Sequence, residues 1–300
     1  INPVNLYYND IDPTWTEFFK DINKRFDLGI PEVNITCTNT LERENFMKEM
    51  IWVGNPPYNP PKGVKVGGGL AEKFIQLAHE HDAKAICYVV PFTWQTRTSS
   101  EHTRSVMKRA GLKYFKHLNP NTFDKNVLTN YFICEKGYTG TAVQEVYAVN
   151  DVTKYSTVIH TVGSDIIPVV RTQEELNFFN DVWKFKDFEY PIKTGANVEL
   201  SESGVVYGYM IGMQKEKLNI QSPMRGMCLK VSNTDIDNKY KNKDQKYISV
   251  KDDVTATKLH KFLNNEGQAF LRCIPRGSSL ENWMVLPLLG YFSNNIQSLI

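Results

Sequence analysis

The chain has no apolar run long enough to cross a bilayer and no excess of either charge. Both shortages exclude classes of protein. A 41% hydrophobic and 23% charged composition over 300 residues is ordinary for a globular chain, so a sizeable core is expected in one large domain or two moderate ones. Net charge is +2, with 17 Lys and Arg against 16 Asp and Glu in residues 1–150 and 18 against 17 in the rest. Neither half is a basic tail, and a nucleic-acid surface has to come from local clustering. The five cysteines, Cys37, Cys87, Cys134, Cys228 and Cys273, form no CxxC pair and no Cys/His spacing typical of zinc. A reducing cytoplasm is the simplest setting, with Cys87 and Cys134 as core thiols. His79 and His81 point away from each other on a helix, so no metal site is expected there. No signal-peptide pattern is present, and a first residue Ile1 reads as a fragment or as a chain whose start is not represented.

Strand and helix patterns alternate through the first half. Leu6 to Tyr8, Val33 to Thr36, Met50 to Gly54, Ala85 to Val90, Tyr114 to Leu118 and Leu128 to Cys134 read as strands. Helices are expected from Pro13 to Phe26, from Leu70 onward, and from Glu101 to a stop at Gly111. The apolar run Ala85 to Val90 suggests a strand buried on both faces of a parallel sheet. Such alternation implies an open α/β sheet, in which ligands bind beyond the carboxyl ends of the strands. Lys62 to Gly69 is glycine-rich and expected to be mobile. Past about Gly140 the pattern shifts to strand-like pieces around a helix from Gln173 to Trp183, and Asn233 to Lys251 reads as an exposed loop or hairpin. The expected division is 1–145 and 146–300, the second part mixed α+β.

Asn55-Pro56-Pro57-Tyr58 follows the strand Ile51 to Gly54 directly. Such a tetrad arises by chance in about one chain in a thousand of this size. Its chemistry suits an exocyclic amino group, whose lone pair is delocalised into its ring. The Asn55 side-chain carbonyl and the Pro56 backbone carbonyl can each accept one amino hydrogen, favour a pyramidal nitrogen and stabilise its developing positive charge. Pro57 stiffens the turn and Tyr58 offers a flat face. No general base is required, because the methylated ammonium sheds its proton afterwards and positioning carries the rate.

Over roughly residues 5–137 the sequence resembles S-adenosylmethionine-dependent amino-methyltransferases, in particular the N6-adenine DNA methyltransferases with a gamma-like motif order. Tyr8-Asn9-Asp10-Ile11-Asp12-Pro13 is similar to the segment whose first acidic residue binds the cofactor ribose, which implies that role for Asp10. The Asn55 to Tyr58 tetrad resembles the catalytic loop, and Val89 to Trp94 the strand end that follows it. Asn121 to Val127, leading into Tyr131-Phe132-Ile133, resembles the segment that supplies a second aromatic, so Phe123 is expected to stack on a flipped base opposite Tyr58. The resemblance implies a Rossmann-like open sheet, S-adenosylmethionine as cofactor, double-stranded DNA as partner, no membrane, and a bacterial or phage-infected cytoplasm. Restriction-modification is the setting it suggests.

Two parts of the family pattern are missing. No glycine-rich cofactor loop precedes Asp10, and the later Val66-Gly67-Gly68-Gly69 stands on the wrong side of the catalytic loop. Near the cofactor adenine, where an acidic residue is expected, Cys37-Thr38-Asn39-Thr40 leaves Asn39 as a substitute hydrogen-bonding group. Because that loop follows the family's central strand, its absence predicts two unpaired edges inside the core, with a missing N-terminal segment or a partner chain supplying the strand.

Plainer readings stand beside these. Asn55 to Pro61 also reads as a stiff proline-rich loop of polyproline type, Asp10 as a turn or cap residue, and Phe123 as core. Arg97, Arg104, Lys108 and Arg109 are candidates for DNA phosphates, beside the more usual reading of such charges as a solvated helix face. Similar tetrads occur in RNA and protein glutamine methyltransferases. Those enzymes end soon after the strand corresponding to Tyr131 to Cys134, whereas about 165 residues follow here, room for a target-recognition domain. A nucleic-acid-binding protein that keeps the scaffold without catalysis is the alternative of a different class.

Overall fold

The computed structural model describes residues 2–42, 46, 49–58, 69–119, 122, 128–148, 151–161, 165–194, 205–211, 226–231, 246–250, 252–274 and 282–299. It begins with a βαβ unit: β1 (Tyr8–Asp10), α1 (Pro13–Arg25) and β2 (Ile35–Cys37), the strands parallel with Tyr8 opposite Ile35 and Asp10 opposite Cys37. Asp12 caps α1 by accepting from Thr14 N, Pro13 fills its first turn, and Lys24 and Arg25 lie at its negative end. One side of α1 packs inward, the Phe19 ring stacking on Tyr8 at 3.9 Å. Ile11, Trp15 and Phe18 stay exposed.

A six-stranded sheet follows, in the order β3 (Ile51–Gly54), β4 (Ala85–Pro91), β6 (Thr129–Glu135), β5 (Leu112–His117), β7 (Ala142–Tyr147), β8 (Tyr155–His160). The β3/β4 and β5/β7 pairs are parallel and the other three antiparallel, so this is the expected open α/β sheet in a mixed form. Helices α2 (Leu70–Glu80) and α3 (Glu101–Arg109) supply Ala71, Ile75, Ala78, Val106 and Met107 to the core formed with Ile86, Tyr88 and Val90 of β4. Ala85, Cys87 and Val89 alternate with these and are only half-buried. The expectation of a strand buried on both faces is therefore corrected: β4 buries one face fully and the other in part. Gly111 ends α3 with φ +79°, and a Cβ there would stand 2.0 Å from the Glu135 carbonyl oxygen, so only glycine fits this turn against β6.

Among the described residues, β1 pairs only with β2 and β3 only with β4, so each presents an unpaired edge. On β3, Ile51 and Val53 share one sheet face and are 62% and 75% exposed.

The sheet runs past the expected division at 145/146: β7 straddles it and β8 lies beyond it, both paired into the first half. Beyond them, α4 (Gln173–Trp183), α5 (Asp253–Asn264), α6 (Glu266–Arg272) and α7 (Asn282–Asn295) bury a second core in which Phe179 stacks on Phe270 at 5.0 Å. An antiparallel sheet accompanies them, ordered β11 (Gly226–Val231), β10 (Val205–Ile211), β12 (Lys246–Val250), β9 (Ile192–Thr194). The reading of Asn233 to Lys251 as an exposed loop or hairpin is corrected at its end only in exposure, because β12 is an inner strand with Ile248 and Val250 buried. The polar composition of the stretch hid this alternation. A buried strap, residues 166–170, ties the halves together. Ile167 packs in the sheet–helix core while its N–H donates to the Gln95 carbonyl; Ile166 and Val170 pack in the second core, and Val169 N donates to the Cys273 carbonyl.

Candidate active site at the strand ends

Asn55 leaves the sheet directly after Gly54, at the carboxyl end of β3. The residue before a proline is pushed to extended backbone, and Pro56 and Pro57 have no N–H to offer, so the segment runs on stiffly from the strand. Asn55 and Pro57 are exposed, Pro56 is buried, and Tyr58 is half-buried against the core that holds α2 and α3. Burial pushes the Tyr58 hydroxyl up from its ordinary value, partly opposed by a hydrogen bond from the Asn55 side chain. Tyr58 therefore stands as a neutral phenol at neutral pH, its ring anchored and its hydroxyl joined to Asn55.

The neighbouring strand end is a braced turn. Trp94 is buried, its indole N–H donates to Asn130 Oδ1 at 3.0 Å, and Asn130 Nδ2 donates to Gln95 Oε1 at 2.9 Å. Arg104 is 2% exposed and donates to the carbonyls of Trp94 (2.9 Å) and Arg97 (2.7 Å). Burial lowers its pKa, while Glu101, Asp165 and Glu72 favour the charge. The placement of Arg104 on a DNA-facing surface is thus corrected: a guanidinium turned inward onto backbone carbonyls cannot reach a phosphate. Arg97, Lys108 and Arg109 are exposed, and Arg109 also bonds Ser105 Oγ.

At the end of β1, Asp10 Oδ1 accepts from Asp12 N at 2.9 Å, which holds the carboxylate in a tight turn. Pairing of β1 with β2 brings the Asn39 loop beside it, and Asn39 Oδ1 accepts from Leu41 N at 3.2 Å. The structure thus joins Asp10 with Asn39, and Asn55 with Tyr58, on the ends of two separate sheets. Phe123, Asn121, most of the 121–127 segment and the glycine-rich stretch through Gly68 lie outside the described residues.

Sequence reasoning missed Asn9, whose side chain links β1 to the 36–40 loop; an amide inside a strand is the signal that marks it. It also missed a buried chain beneath the strap. His160 Nε2 meets Gln144 Oε1 at 2.8 Å, and Gln144 Nε2 meets His117 Nε2 at 3.4 Å. Among the described residues no group of three or more His, Cys, Asp or Glu side chains is placed to hold a metal, and no helix is long and apolar enough to cross a membrane.

No protein-family model matches the chain, and no curated protein sequence matches it. Solved structures with related folds include the M protein of the type I restriction enzyme EcoKI, at 18% identity and TM-score 0.40 over 48% of this chain and 35% of that one. The type I restriction-modification methyltransferase subunit from Streptococcus thermophilus is 14% identical, TM-score 0.38, over 59% of this chain and 42% of that one. The type IIG restriction endonuclease BpuSI is 14% identical, TM-score 0.40, over 67% and 31%. The chain spans less than half the length of each. Likeness at this level adds nothing to the chemistry, which rests on the site.

Proposed function

We propose that the chain carries the catalytic loop of an S-adenosylmethionine-dependent DNA methyltransferase that acts on the N6 amino group of adenine. The observation that carries this reading is the Asn55 to Tyr58 segment: an exposed asparagine at a strand's carboxyl end, followed by two prolines and an anchored tyrosine. Asn55 is exposed, and its side-chain carbonyl is an acceptor for a substrate N–H. Together with the Pro56 carbonyl it holds an adenine amino group so that the nitrogen lone pair faces the donor, while the Tyr58 ring supports the flipped base. Phe123 is the proposed opposing ring.

S-adenosylmethionine, when bound, supplies an electrophilic methyl group. The donor set at the end of β1 fits its ribose: the Asp10 carboxylate, held by Asp12 N, is an acceptor suited to a pair of hydroxyls, with Asn39 close by as a polar side chain for the adenine end. The second half of the chain is the proposed target-recognition domain, and Arg97, Lys108 and Arg109 are the proposed phosphate contacts. Free thiols at Cys37, Cys87, Cys134 and Cys273 suit a reducing cytoplasm.

A second reading is a scaffold that binds nucleic acid without catalysis, since no glycine-rich loop precedes Asp10 in the sequence. Incubation of the complete protein with labelled S-adenosylmethionine and unmodified duplex DNA, followed by nucleoside analysis, separates the two. N6-methyladenine is the expected product. Label in RNA or in protein glutamine instead refutes the acceptor, and tight DNA binding without any transfer favours the scaffold.

A further inference from the structure

Asn9 spends its whole amide on the neighbouring strand β2 and the loop that follows it. Its Nδ2 donates to the Thr38 carbonyl at 3.0 Å and to Thr40 Oγ1 at 2.6 Å, while its Oδ1 accepts from Thr36 Oγ1 at 2.7 Å and Thr38 Oγ1 at 2.8 Å. A primary amide offers two donors and two acceptor positions, and all four are used. One backbone bond reinforces the link, Thr38 N to the Asp10 carbonyl at 3.1 Å. Thr40 then opens the short turn Thr40–Glu42 that Asn39 caps.

The strands on either side are three residues long and form a sheet of two, so backbone pairing alone holds the loop weakly. Asn9 is therefore the side chain that sets where Asn39 stands relative to Asp10. We propose that Asn9 is a positioning residue for the adenosine end of the cofactor: it touches no ligand, and it preorganises the Asp10 and Asn39 groups that do. This rests on the methyltransferase reading above. A loop freed from Asn9 has to be ordered by the ligand itself, and that cost appears as lost affinity.

The test is calorimetric titration of the full-length protein with S-adenosylmethionine. Asn9→Ala should raise Kd about tenfold, roughly the net worth of one or two hydrogen bonds, with turnover at saturating cofactor within about twofold of wild type. Thr40→Val, which keeps side-chain shape and removes one of the four partners, should raise Kd by a smaller factor and decides the matter if Asn9→Ala fails to fold. In the double variant Asn9→Ala/Asp10→Ala the two losses should not multiply, because Asn9 acts through Asp10 and its neighbour. Without ligand, amide hydrogen exchange over residues 38–41 should quicken in Asn9→Ala. Unchanged affinity in Asn9→Ala, or fully multiplicative losses in the double variant, overturns the role of Asn9 alone. Wild-type protein that binds no S-adenosylmethionine overturns the methyltransferase reading, and the Asn9 role falls with it.

Discussion

Acidification should destabilise this protein well above the pH at which its carboxylates protonate, and two histidines set the size of the effect. His117 is fully buried, with its pKa lowered to about 3 by burial first and by the nearby Arg171 and His160 charges second; burial lowers His160 to about 4. Gln144 between them can satisfy both rings only when His160 presents an Nε2–H to its carbonyl and His117 presents a bare Nε2 to its amide. A proton on His117 Nε2 would set donor against donor. The sign follows from linkage: both rings are neutral in the folded state, while in the unfolded chain each takes up a proton below about 6.5. Stability is complete above that value and falls as pH drops toward the folded pKa. Between pH 7 and 5 each ring contributes a loss of about 1.9 kcal/mol, so the pair contributes about 4 kcal/mol. That is a large part of a typical folding free energy of roughly 5–15 kcal/mol. Urea unfolding at pH 5, 6 and 7 measures it, with the double variant His117→Phe/His160→Gln as control. The variant should lose the steep dependence over this range. A control as acid-sensitive as wild type would refute the burial argument, since the slope would then come from other groups.

Asn55→Ala should cut methyl transfer by at least about 10²–10³-fold, the usual effect of removing one preorganised hydrogen-bonding group, and leave DNA affinity nearly unchanged in a filter-binding assay. Asp10→Ala should weaken S-adenosylmethionine binding in calorimetry by a larger factor than it slows turnover at saturating cofactor, and equal affinity removes Asp10 from the site. Arg104→Ala removes the guanidinium donor from the Trp94 carbonyl and leaves the Arg97 carbonyl with Ser100 N alone, and a loss of about 2–4 kcal/mol in urea unfolding is expected. By contrast, Arg97→Ala and Lys108→Ala should leave stability within about 0.5 kcal/mol and weaken DNA binding most at low salt.

Local rules carried much of the outcome. Pro13 and Asp12 mark the start of α1 as capping chemistry requires, Gly111 ends α3, and the apolar spacing from Leu70 makes α2. The Asn55 to Tyr58 tetrad was legible because a rare tetrad after an apolar run needs no tertiary information. Arg104 was not legible. Helical spacing sets it on a face with its neighbours, but whether that face meets solvent or the 94–97 turn depends on contacts ten residues away. The sheet's extension past 145/146 was not legible for a similar reason: β7 joins the sheet by pairing with β5, across the intervening strand β6, and no local pattern encodes that partner.

By itself the sequence determined the α/β class, the limits of α1, α3 and α4 and the placement of Asn55 to Tyr58 beyond a strand, since propensity, capping and proline stereochemistry act over a few residues; α5, α6 and α7 were not read from it. Only the tertiary structure decided the mixed strand order, the burial of Arg104, the Gln144–histidine chain and the four bonds of Asn9. Each of these depends on residues distant in the chain meeting at hydrogen-bonding distance, and pairing of that kind leaves no periodic trace in the order of amino acids.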